Sequence, residues 1–332
     1  MNFDKYHPSG IQNASFLITG GAGFIGSNLV EYLVQHNAGR ILILDNLSTG
    51  YLSNIEDFIQ LPNVEFVQED IKDYQVCLDC TNGIDYVLHQ AALGSVPRSI
   101  HDPITTNEVN ITGFLNILTA SKEQKVKRLV FAASSSTYGD SPNLPKVEEI
   151  IGNPLSPYAV TKYVNELYAQ VFSRVYGYHT VGLRYFNVFG PKQNLHGPYA
   201  AVIPLFINNF LEGHSSVING DGLTSRDFTF IANVVQANIK ALFSKLQQHE
   251  VFNIACNEQT SLNQLVAVIG EELGTPIEAI YAKERAGDVK HSLADISKAQ
   301  RLLGYKPEIL FRDGIKQTIH YFQEIFQKSD TN

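Results

Sequence analysis

A glycine-rich segment directly after a short apolar run is the feature that most limits how this chain can fold. The run Ser15–Thr19 leads into Gly20, Gly23 and Gly26, spaced by three residues, and an amphipathic stretch follows. Glycines in this setting permit a tight turn, let backbone N–H groups approach a pyrophosphate, and let the next helix pack against the strand. The helix N-terminus adds partial positive charge. The segment therefore predicts a strand–turn–helix unit that binds a dinucleotide.

Short apolar runs alternate with longer amphipathic stretches beyond this segment, as in a parallel sheet covered by helices. Ile41–Leu44 and Leu129–Phe131 are continuously apolar, which is typical of strands buried on both faces. We predict an α/β fold, a Rossmann-type doubly wound parallel sheet with a smaller α/β C-terminal substrate domain. The predicted strands are Ser15–Thr19, Arg40–Leu44, Val64–Gln68, Tyr86–His89, Arg128–Ala133 and Thr180–Arg184, with shorter ones near Val217–Asn219 and Phe252–Ile254.

The same patterns predict the helices and a division of the chain. We predict an N-terminal extension over residues 1–13, the cofactor domain over 14–186, and mainly the substrate domain over 187–332, with some segments crossing back. The segment Asn187–Ala201 is rich in Gly, Pro and Asn and is typical of a long functional loop. The predicted helices are Ile25–Gln35, Pro103–Lys122, Pro157–Tyr176, Ile203–Leu211, Leu262–Leu273 and Phe311–Phe326.

Charge and apolar content limit the partners of the chain. Its 332 residues carry 25 Lys+Arg and 33 Asp+Glu, a net charge of −8. Binding to nucleic acids or to anionic membranes depends on basic side chains, so we expect neither partner. No apolar run approaches the ~20 residues that span a bilayer, and Met1–Asn13 lacks the apolar centre of a signal peptide. We therefore expect a cytoplasmic protein.

The three cysteines indicate neither a disulfide framework nor a metal site. Cys77 and Cys80 form a Cys-x-x-Cys pair, but no second pair accompanies them, so a zinc site would lack ligands. A sparse, odd set of cysteines fits a reducing compartment. The pair is either a redox pair or a chance spacing, and the sequence favours chance.

Acidic and small residues after the predicted strands suit the adenosine end of a dinucleotide. Asp45 stands about 20 residues beyond the glycines, where a carboxylate can accept hydrogen bonds from ribose hydroxyls and repel a 2′-phosphate, which favours NAD over NADP. The alternative is that Asp45 only begins a turn. Asp70 is positioned to accept from the adenine amino group. Ala91 and Ala92 leave room for a cofactor, although plain packing explains them nearly as well.

Tyr158 and Lys162 stand four residues apart on a predicted helix and so share one face. A tyrosine with a pKa of ~10 is a poor base at neutral pH, and a nearby ammonium favours the phenolate. Tyr158 can then take a proton from an alcohol as hydride leaves carbon. Ser134 or Ser135, at the carboxyl end of a predicted strand, can bond the reacting hydroxyl. Capping is the alternative role of these serines.

These motifs, together with Leu183–Pro191, resemble the extended short-chain dehydrogenase/reductase family. More narrowly, the chain resembles nucleotide-sugar 4-epimerases, particularly the bacterial UDP-N-acetylglucosamine 4-epimerases of polysaccharide pathways. The likeness runs from about Phe16 to Tyr305. It implies that NAD oxidises the sugar at C4, that the keto-sugar turns, and that hydride returns to the opposite face. It also implies that Tyr158 is the base, that Lys162 binds the nicotinamide ribose and lowers the tyrosine pKa, and that Ser134 assists.

The resemblance also separates related reactions. Sister 4,6-dehydratases carry an Asp-Glu pair directly after the catalytic Ser or Thr, and decarboxylating relatives carry a glutamate there. This chain has Ser135 and Ser136 at those positions, which favours simple epimerisation. At the position of Ser292, epimerases confined to glucose and galactose carry a tyrosine that fills the site. A serine there favours N-acetylhexosamines, and some activity on the plain sugars is compatible with it.

The predicted site has a cofactor set and a substrate set of residues. Catalysis is assigned to Tyr158, Lys162 and Ser134. An arginine suits phosphate oxygens, and the alternative for Arg226 is a surface ion pair with Asp227. The predicted cofactor residues are Gly20, Gly23, Phe24, Ile25, Gly26, Asp45, Asn46, Ser48, Thr49, Gly50, Asp70, Ile71, Gln90, Ala91, Ala92, Tyr158, Lys162, Tyr185 and Val188. The predicted substrate residues are Gly94, Ser95, Ser134, Ser135, Ser136, Asn187, Tyr199, Ala200, Ala201, Val202, Asn219, Arg226, Arg285, Asp288 and Ser292.

Alternative functions remain open at this point. A 4-epimerase for UDP-glucose or for UDP-glucuronic or N-acetylglucosaminuronic acid is the nearest one. A non-catalytic NAD-sensing protein is a minor alternative, since such proteins usually lose the tyrosine or the lysine. The resemblance further implies a homodimer formed through Pro103–Lys122 and Pro157–Tyr176.

Overall fold

Seven parallel strands form the central sheet of the computed structural model, which describes residues 1–195, 201–274, 279–283 and 290–329. The strands are β1 Ser15–Thr19, β2 Arg40–Leu44, β3 Val64–Val67, β4 Tyr86–His89, β5 Arg128–Ser134, β6 Val181–Tyr185, β7 Val188–Phe189, β8 Ser216–Asn219, β9 Ser225–Arg226, β10 Thr229–Phe230, β11 Glu250–Ile254, β12 Thr260–Ser261 and β13 Ala279–Ala282. The helices are α1 Phe24–Gln35, α2 Tyr74–Thr81, α3 Val96–His101, α4 Pro103–Asn107, α5 Phe114–Glu123, α6 Pro157–Tyr176, α7 Val202–Leu211, α8 Ile231–Leu242, α9 Leu262–Leu273, α10 Ser297–Leu303 and α11 Phe311–Ser329.

The order of the central strands is β3-β2-β1-β4-β5-β6-β11. The chain runs outward from β1 in one direction through β2 and β3, and in the other from β4 onward. In such sheets ligands bind beyond the carboxyl ends of the strands where the order reverses, here between β1 and β4. The predicted α/β fold with a doubly wound parallel sheet is confirmed, with the ends of the first six strands shifted by at most one residue.

The two faces of the sheet bury separate apolar clusters. Along β1, Phe16 and Ile18 contribute to one cluster, and Leu17 contributes to the other. All three side chains are fully buried. Alternate residues of a strand point to opposite faces, so a strand covered by helices on both sides needs an unbroken apolar run. This accounts for the continuous apolar patterns in the sequence.

Parts of the range 187–332 belong to the central sheet or pack on it. Its strand β11 pairs in parallel with β6, and its helix α8 contacts β5, β6 and β11. The sequence patterns did not predict α8, in which every residue except Lys240 is buried. Its polar residues Asn233, Gln236 and Asn238 are buried and bond other parts of the protein, so they do not mark a face exposed to solvent. The remaining strands form the small two-stranded sheets β7–β10, β9–β12 and β8–β13.

The predicted helical stretch Pro103–Lys122 is present and consists of three segments. The structure has α4, then a π-helical segment Glu108–Gly113, then α5, with right-handed helical backbone at the joins. Asn110 in the π-helical segment is buried, and its side chain bonds the backbone of Leu93 at 2.8 and 3.2 Å and the Thr161 hydroxyl at 3.1 Å. π-Helical turns often occur at functional sites, and this one joins the loop after β4 to α6.

The N-terminal extension packs on α1. Phe3 and Ile11 are buried, and the Tyr6 amide donates to the Tyr32 hydroxyl at 2.9 Å. His7 Nδ1 lies 2.6 Å from that same hydroxyl. Among the described residues, no helix has the length and apolar content needed to cross a membrane.

Candidate active site

The glycine turn after β1 has no room for side chains. Gly20 has φ +68°, and a Cβ there would lie 2.6 Å from the Ala91 amide nitrogen. A Cβ on Gly26 would lie 2.1 Å from the Gly20 carbonyl oxygen, so α1 touches the turn through Gly26. Helix α1 begins at Phe24, and its N-cap Gly23 contributes no side-chain cap. The first backbone N–H groups of α1 are therefore available for the phosphates of a ligand.

Asp45 is held in a fixed orientation just after β2. Its side chain is buried, and its two oxygens accept hydrogen bonds from the backbone amides of Ala22 at 2.9 Å and Leu47 at 2.8 Å. Burial raises the pKa of the Asp45 carboxyl, and these backbone amides oppose that rise. Asn46 next to it donates to Asp70 at 3.0 Å. Asp45 thus both stabilises the glycine turn and presents carboxylate oxygens at its edge.

A cavity of about 520 Å³ lies over this edge of the sheet. Every predicted cofactor residue lines it except Gly50, where a Cβ would lie 2.9 Å from the Ala22 carbonyl carbon. The donor-rich turn, the acid after β2 and the volume of the cavity fit a dinucleotide. Further lining residues, which are not among the predicted site residues, are Leu44, Glu69, Leu93, Val109, Ala132 and Ala133. All of them except Val109 stand within one or two positions of a predicted site residue in the sequence, and this closeness is the only feature that could have indicated them.

Helix α6 carries Tyr158 and Lys162 into this cavity. The Ser156 hydroxyl caps its first turn by accepting from the Ala159 amide at 3.2 Å. Lys162 is buried, its Nζ donates to the Ala132 carbonyl at 2.8 Å, and it lies 5.9 Å from the centre of the Tyr158 ring. Tyr158, Lys162 and Ser134 line the same cavity, so the structure brings the three predicted catalytic residues together.

The pKa values of Tyr158 and Lys162 differ from the simple expectation that the lysine lowers the pKa of the tyrosine. Burial raises the pKa of Tyr158, and a hydrogen bond with the Ser134 side chain opposes the rise. Burial lowers the pKa of Lys162 to about 8, against the attraction of Glu166. In this structure Ser134 is thus the group that favours the tyrosine phenolate. The lowering of the tyrosine pKa by Lys162 stays a prediction.

A buried ion pair anchors α6 to the sheet. The Arg184 guanidinium on β6 donates to both carboxylate oxygens of Glu166, at 2.9 and 2.7 Å, and to the Glu148 carbonyl at 3.0 Å. It also lies 4.8 Å from the centre of the Tyr138 ring. Glu166 is one helical turn beyond Lys162, so this two-point contact fixes the helix face that carries Tyr158 and Lys162.

A second cavity of about 560 Å³ joins the first at Ser134, Ser135 and Asn187, which line both. Of the predicted substrate residues, Ser134, Ser135, Ser136, Asn187, Arg226 and Ser292 line it. Gly94 and Ala201 line the first cavity instead, whereas Ser95, Val202 and Asn219 line neither. The predicted residues Tyr199, Ala200, Arg285 and Asp288 lie outside the described residues. Lining residues that the sequence patterns did not indicate are Val96, Pro97, Ile100, Tyr138, Gly139, Lys146, Leu155, Ser156, Ala159, Phe186 and His291.

Asp227 is not part of a surface ion pair. It is fully buried, and its two carboxylate oxygens accept from the backbone amides of Cys256 at 2.9 Å and Ala294 at 3.2 Å. Burial raises its pKa to about 7, and these amides oppose the rise. Arg226 beside it donates to the Ser225 and Lys290 carbonyls and lines the second cavity. Asp227 thus ties the segment that carries Arg226 to the one that carries Ser292.

The Cys77/Cys80 pair shows no sign of redox chemistry. Both thiols are free and buried in α2. Burial raises the pKa of Cys77 to about 12 and that of Cys80 to about 11. Reactive thiols need lowered pKa values, so chance spacing is the better interpretation. Among the described residues, no group of His, Cys, Asp and Glu side chains could hold a metal ion.

Known proteins resemble this chain over nearly its whole length. A UDP-N-acetylglucosamine 4-epimerase from Methanobrevibacter ruminantium, solved with UDP-N-acetylmuramic acid, is 40% identical with a TM-score of 0.89, covering 94% of this chain and 99% of its own. A UDP-glucose 4-epimerase from Thermus thermophilus, solved with NAD, is 33% identical with a TM-score of 0.83, covering 93% and 99%. A UDP-glucuronate 4-epimerase from Thermodesulfobacterium geofontis is 35% identical, covering 93% of this chain and 96% of the relative.

A family model gives the broader assignment. The model described as the NAD dependent epimerase/dehydratase family matches residues 16–255, which is more than two thirds of the 332 residues. The match begins in β1 and ends just after β11, so it spans the whole central sheet and the glycine turn. NAD is the cofactor that the family description names, and it suits the acid after β2. The chain therefore belongs to the NAD dependent epimerase/dehydratase family, the extended short-chain dehydrogenase/reductases, and its cofactor is NAD.

Proposed function

We propose that this protein is a UDP-sugar 4-epimerase that interconverts UDP-N-acetylglucosamine and UDP-N-acetylgalactosamine for polysaccharide precursors. The relatives support 4-epimerisation of a UDP-sugar, and their names divide among N-acetylglucosamine, glucose and glucuronate forms. The choice among these sugars is the specific part of the proposal. A second cavity that joins the cofactor cavity beside Tyr158, at Ser134, supports a sugar ring next to the cofactor.

The catalytic residues have distinct roles in this reaction. NAD, when bound, supplies an acceptor for the hydride of C4 and later the donor that returns it. Tyr158 takes the proton of the C4 hydroxyl as that hydride leaves, and gives it back to the ketone oxygen when the hydride returns on the opposite face. Ser134, which hydrogen-bonds Tyr158, steadies the hydroxyl and the phenolate. Lys162 binds the nicotinamide ribose and adds positive charge that favours the phenolate.

Two serines favour epimerisation over elimination or decarboxylation. Ser135 and Ser136 line the second cavity directly after Ser134. Their hydroxyls do not ionise near neutral pH, so they can bond sugar oxygens but cannot protonate a leaving hydroxyl or remove a carbon-bound proton. Without an acid or base at these two positions, the 4-keto sugar undergoes neither elimination nor decarboxylation and is reduced again.

Ser292 carries the proposal for the N-acetylated sugar. It lines the same cavity as Ser135 and Ser136. Its backbone amide donates to the Ser225 carbonyl at 3.1 Å, and the Ser225 amide donates to the Lys290 carbonyl at 3.0 Å, so this pairing fixes Ser292 in the cavity wall. A serine leaves space where a tyrosine would fill the wall. The cavity therefore retains room for an acetamido group at C2 of the sugar.

The test uses the NAD-loaded protein with UDP-N-acetylglucosamine, UDP-glucose and UDP-glucuronate, with products separated by anion-exchange chromatography. We expect UDP-N-acetylgalactosamine to form with the highest kcat/KM. Tyr158→Phe should reduce kcat by about 10²- to 10⁴-fold, because it removes the proton-transferring group. Tyr163→Phe is the matched control, a tyrosine on the same helix that lines neither cavity. Absence of UDP-N-acetylgalactosamine, or full activity of Tyr158→Phe, would contradict the proposal.

Ser292→Tyr tests the sugar choice separately. We expect this variant to lose most activity on UDP-N-acetylglucosamine and to keep activity on UDP-glucose, because the tyrosine occupies the space of the acetamido group. Ser292→Ala, which leaves that space open, is the control. Equal losses on both sugars would show that the side chain at this position does not select the C2 substituent.

We also propose that the protein is a homodimer formed through α6 and the segment that runs from α4 to α5. The outward face of α6 exposes Val160, Leu167, Val171 and Val175, and Ile104 of α4 is 71% exposed. An apolar stripe of this kind, next to an exposed isoleucine of the neighbouring helix, favours an interface.

The oligomeric state tests this part of the proposal. Sedimentation should give a dimer, and Val171→Asp should shift it toward the monomer, because the charge would be buried in the interface. Val217→Asp, at a similarly exposed valine on β8, should leave the dimer intact. A monomeric wild-type protein at micromolar concentration refutes the proposal.

A further inference from the structure

Lys146 is a buried lysine in the wall of the second cavity, outside the residues assigned so far. Its backbone is held at three points: its amide donates to the Leu293 carbonyl at 2.7 Å, and its carbonyl accepts from the Asp295 amide and from Asn253 Nδ2, both at 2.9 Å. The residue is only 6% exposed. The structure therefore fixes where this ammonium can reach.

The environment of Lys146 differs from that of the other buried cations. Among the described residues, three Lys or Arg side chains are buried, namely Lys146, Lys162 and Arg184. Arg184 pairs with Glu166, and Lys162 faces the cofactor cavity. Within the described part of the chain no ion pair involves Lys146, and its Nζ donates to the Ser141 carbonyl. Burial accordingly lowers its pKa.

A buried ammonium without a carboxylate partner is costly, because desolvation is not offset by an opposite charge. Glu148, two residues away, is already used: its side chain accepts from the Asn253 amide at 2.8 Å, and its carbonyl accepts from Arg184. No carboxylate among the described residues pairs with Lys146, so a ligand in the second cavity would supply negative charge or strong acceptors that these residues do not. This parallels Lys162, whose cavity receives a ligand.

Two contacts assign Lys146 to the sugar end of the cavity. Its ammonium bonds the Ser141 carbonyl, shortly after the serine segment Ser134–Ser136. Its backbone forms a bridge with Ala294, two residues from Ser292. Arg226, the residue suited to phosphate, instead bonds the Lys290 carbonyl, on the other side of Ser292 in the chain.

We propose that Lys146 is a specificity-determining residue whose ammonium binds a carboxylate on the sugar, so that the site accepts uronic acid forms of the nucleotide sugar beside neutral ones. The inference rests on the proposed UDP-sugar epimerase function and names a residue for one substrate class. The hydroxyls of Ser135 and Ser136, in the same cavity, supply further donors to such a group. A charge-assisted hydrogen bond of this kind discriminates strongly against a ligand that lacks the acceptor.

The experiment compares wild type with Lys146→Met, which keeps the length of the side chain and removes the charge. Both NAD-loaded proteins are assayed on UDP-glucose, UDP-glucuronate and UDP-N-acetylglucosaminuronate, and binding of each nucleotide sugar is measured by calorimetry. We expect Lys146→Met to lose about 10- to 100-fold in affinity and in kcat/KM on both uronates, through KM. On UDP-glucose the change should stay within about threefold, because this sugar has no carboxylate to lose.

Controls separate charge from folding. Lys298→Met removes a lysine that pairs with Glu250 at 2.9 Å outside the cavity, and it should leave the ratio of uronate to glucose activity unchanged. Lys146→Arg should recover part of the uronate binding, and Lys146→Gln replaces Lys146→Met if the latter does not fold.

The outcomes distinguish the two proposals. Weak uronate binding by wild type, an unchanged ratio in Lys146→Met, or equal losses on uronate and glucose sugars each overturn the role of Lys146. Binding without turnover on any UDP-sugar instead overturns the proposed epimerase function, and the calorimetric comparison still decides the role of Lys146.

Discussion

Replacing Glu166 with glutamine is expected to have two effects: it should destabilise the protein, and it should lower the pKa of Lys162. Glu166 and Arg184 form a bidentate ion pair whose side chains are 6% and 4% exposed. Glutamine keeps the shape and removes the charge, which leaves the Arg184 guanidinium buried with the Glu148 carbonyl and the face of the Tyr138 ring as remaining partners. Removing one partner of a buried pair costs about 3–5 kcal/mol.

The size of this loss sets the expected change in melting temperature. Unfolding entropy near the midpoint is about 2.1 cal/mol/K per residue, which gives about 0.7 kcal/mol/K for a chain of this length. A loss of about 3–5 kcal/mol therefore corresponds to a fall in Tm of about 4–7 K. An exposed ion pair gives a useful comparison: Arg40–Glu65 has side chains 41% and 54% exposed, and Glu65→Gln should cost under about 1 kcal/mol.

The assay is calorimetric unfolding of the two single variants, of Arg184→Met, and of the double variant Glu166→Met/Arg184→Met. A paired apolar replacement removes both charges, so the double variant should be more stable than either single variant at this pair. Additive losses in the double variant, or a fall in Tm under about 1 K in Glu166→Gln, would refute the argument that an unpaired buried charge is the cause.

The same substitution has a catalytic consequence. Burial lowers the pKa of Lys162 to about 8, and Glu166 opposes that effect. Removing the carboxylate should lower the pKa of Lys162 further, so the ammonium is lost at a lower pH. We expect the alkaline limb of the kcat/KM profile of Glu166→Gln to shift to lower pH, whereas Glu65→Gln should keep the wild-type profile.

Three further predictions concern the cofactor side of the site. Gly26→Ala should abolish NAD retention, measured by absorbance of the released cofactor, because its Cβ would lie 2.1 Å from the Gly20 carbonyl oxygen. Asp45→Asn should weaken NAD binding in titration by about tenfold, since it removes a charge-assisted acceptor. Burial lowers the pKa of His89 to about 3 in the folded protein. Below pH ~6.5 the unfolded chain therefore binds more protons than the folded one, because an unperturbed histidine has a pKa of ~6.5. The free energy of unfolding consequently falls as the pH drops from about 6.5 to 3. Between pH ~7 and ~5 the wild-type protein should lose about 2 kcal/mol of its free energy of unfolding through His89, and His89→Asn should not show this loss. Urea unfolding at several pH values measures it, and the same pH dependence in both proteins would contradict the prediction.

Local patterns were enough to predict the central sheet and the cofactor side of the site. The ends of β1, β2 and β4 coincide with the predicted ones, because a doubly covered strand must be apolar throughout and ends where turn residues begin. The glycine turn and Asp45 are likewise local, since strand, turn and helix follow each other directly. The spacing of Tyr158 and Lys162 predicts one shared helix face, and the glycine turn upstream is what makes the pair a catalytic candidate.

The features that local patterns did not predict depend on contacts between distant segments. Lys146 lines the second cavity because it bridges to Ala294, and nothing near Lys146 in the chain indicates that pairing. Helix α8 carries Asn233 and Gln236 in the interior, where they bond the backbone of Ile309 and Lys306, and no local pattern indicates those partners. Gly50, one of the predicted cofactor residues, does not line the cavity, and its close approach to Ala22 is a packing contact.

A chain with a negative net charge can bind anionic ligands because a few positive groups in the cavities can contact those ligands directly. The net charge is −8, yet the glycine turn offers backbone N–H groups and a helix N-terminus, neither of which enters that total. The second cavity adds Arg226 and Lys146, and the first adds Lys162, so these positive groups lie where ligands bind. We expect Asp45 to place a negative charge where a 2′-phosphate would lie. Burial strengthens each of these interactions through the lower local dielectric, whereas the acidic surface is screened by salt. Raising the ionic strength should therefore affect the binding of NAD and nucleotide sugars much less than the total charge suggests.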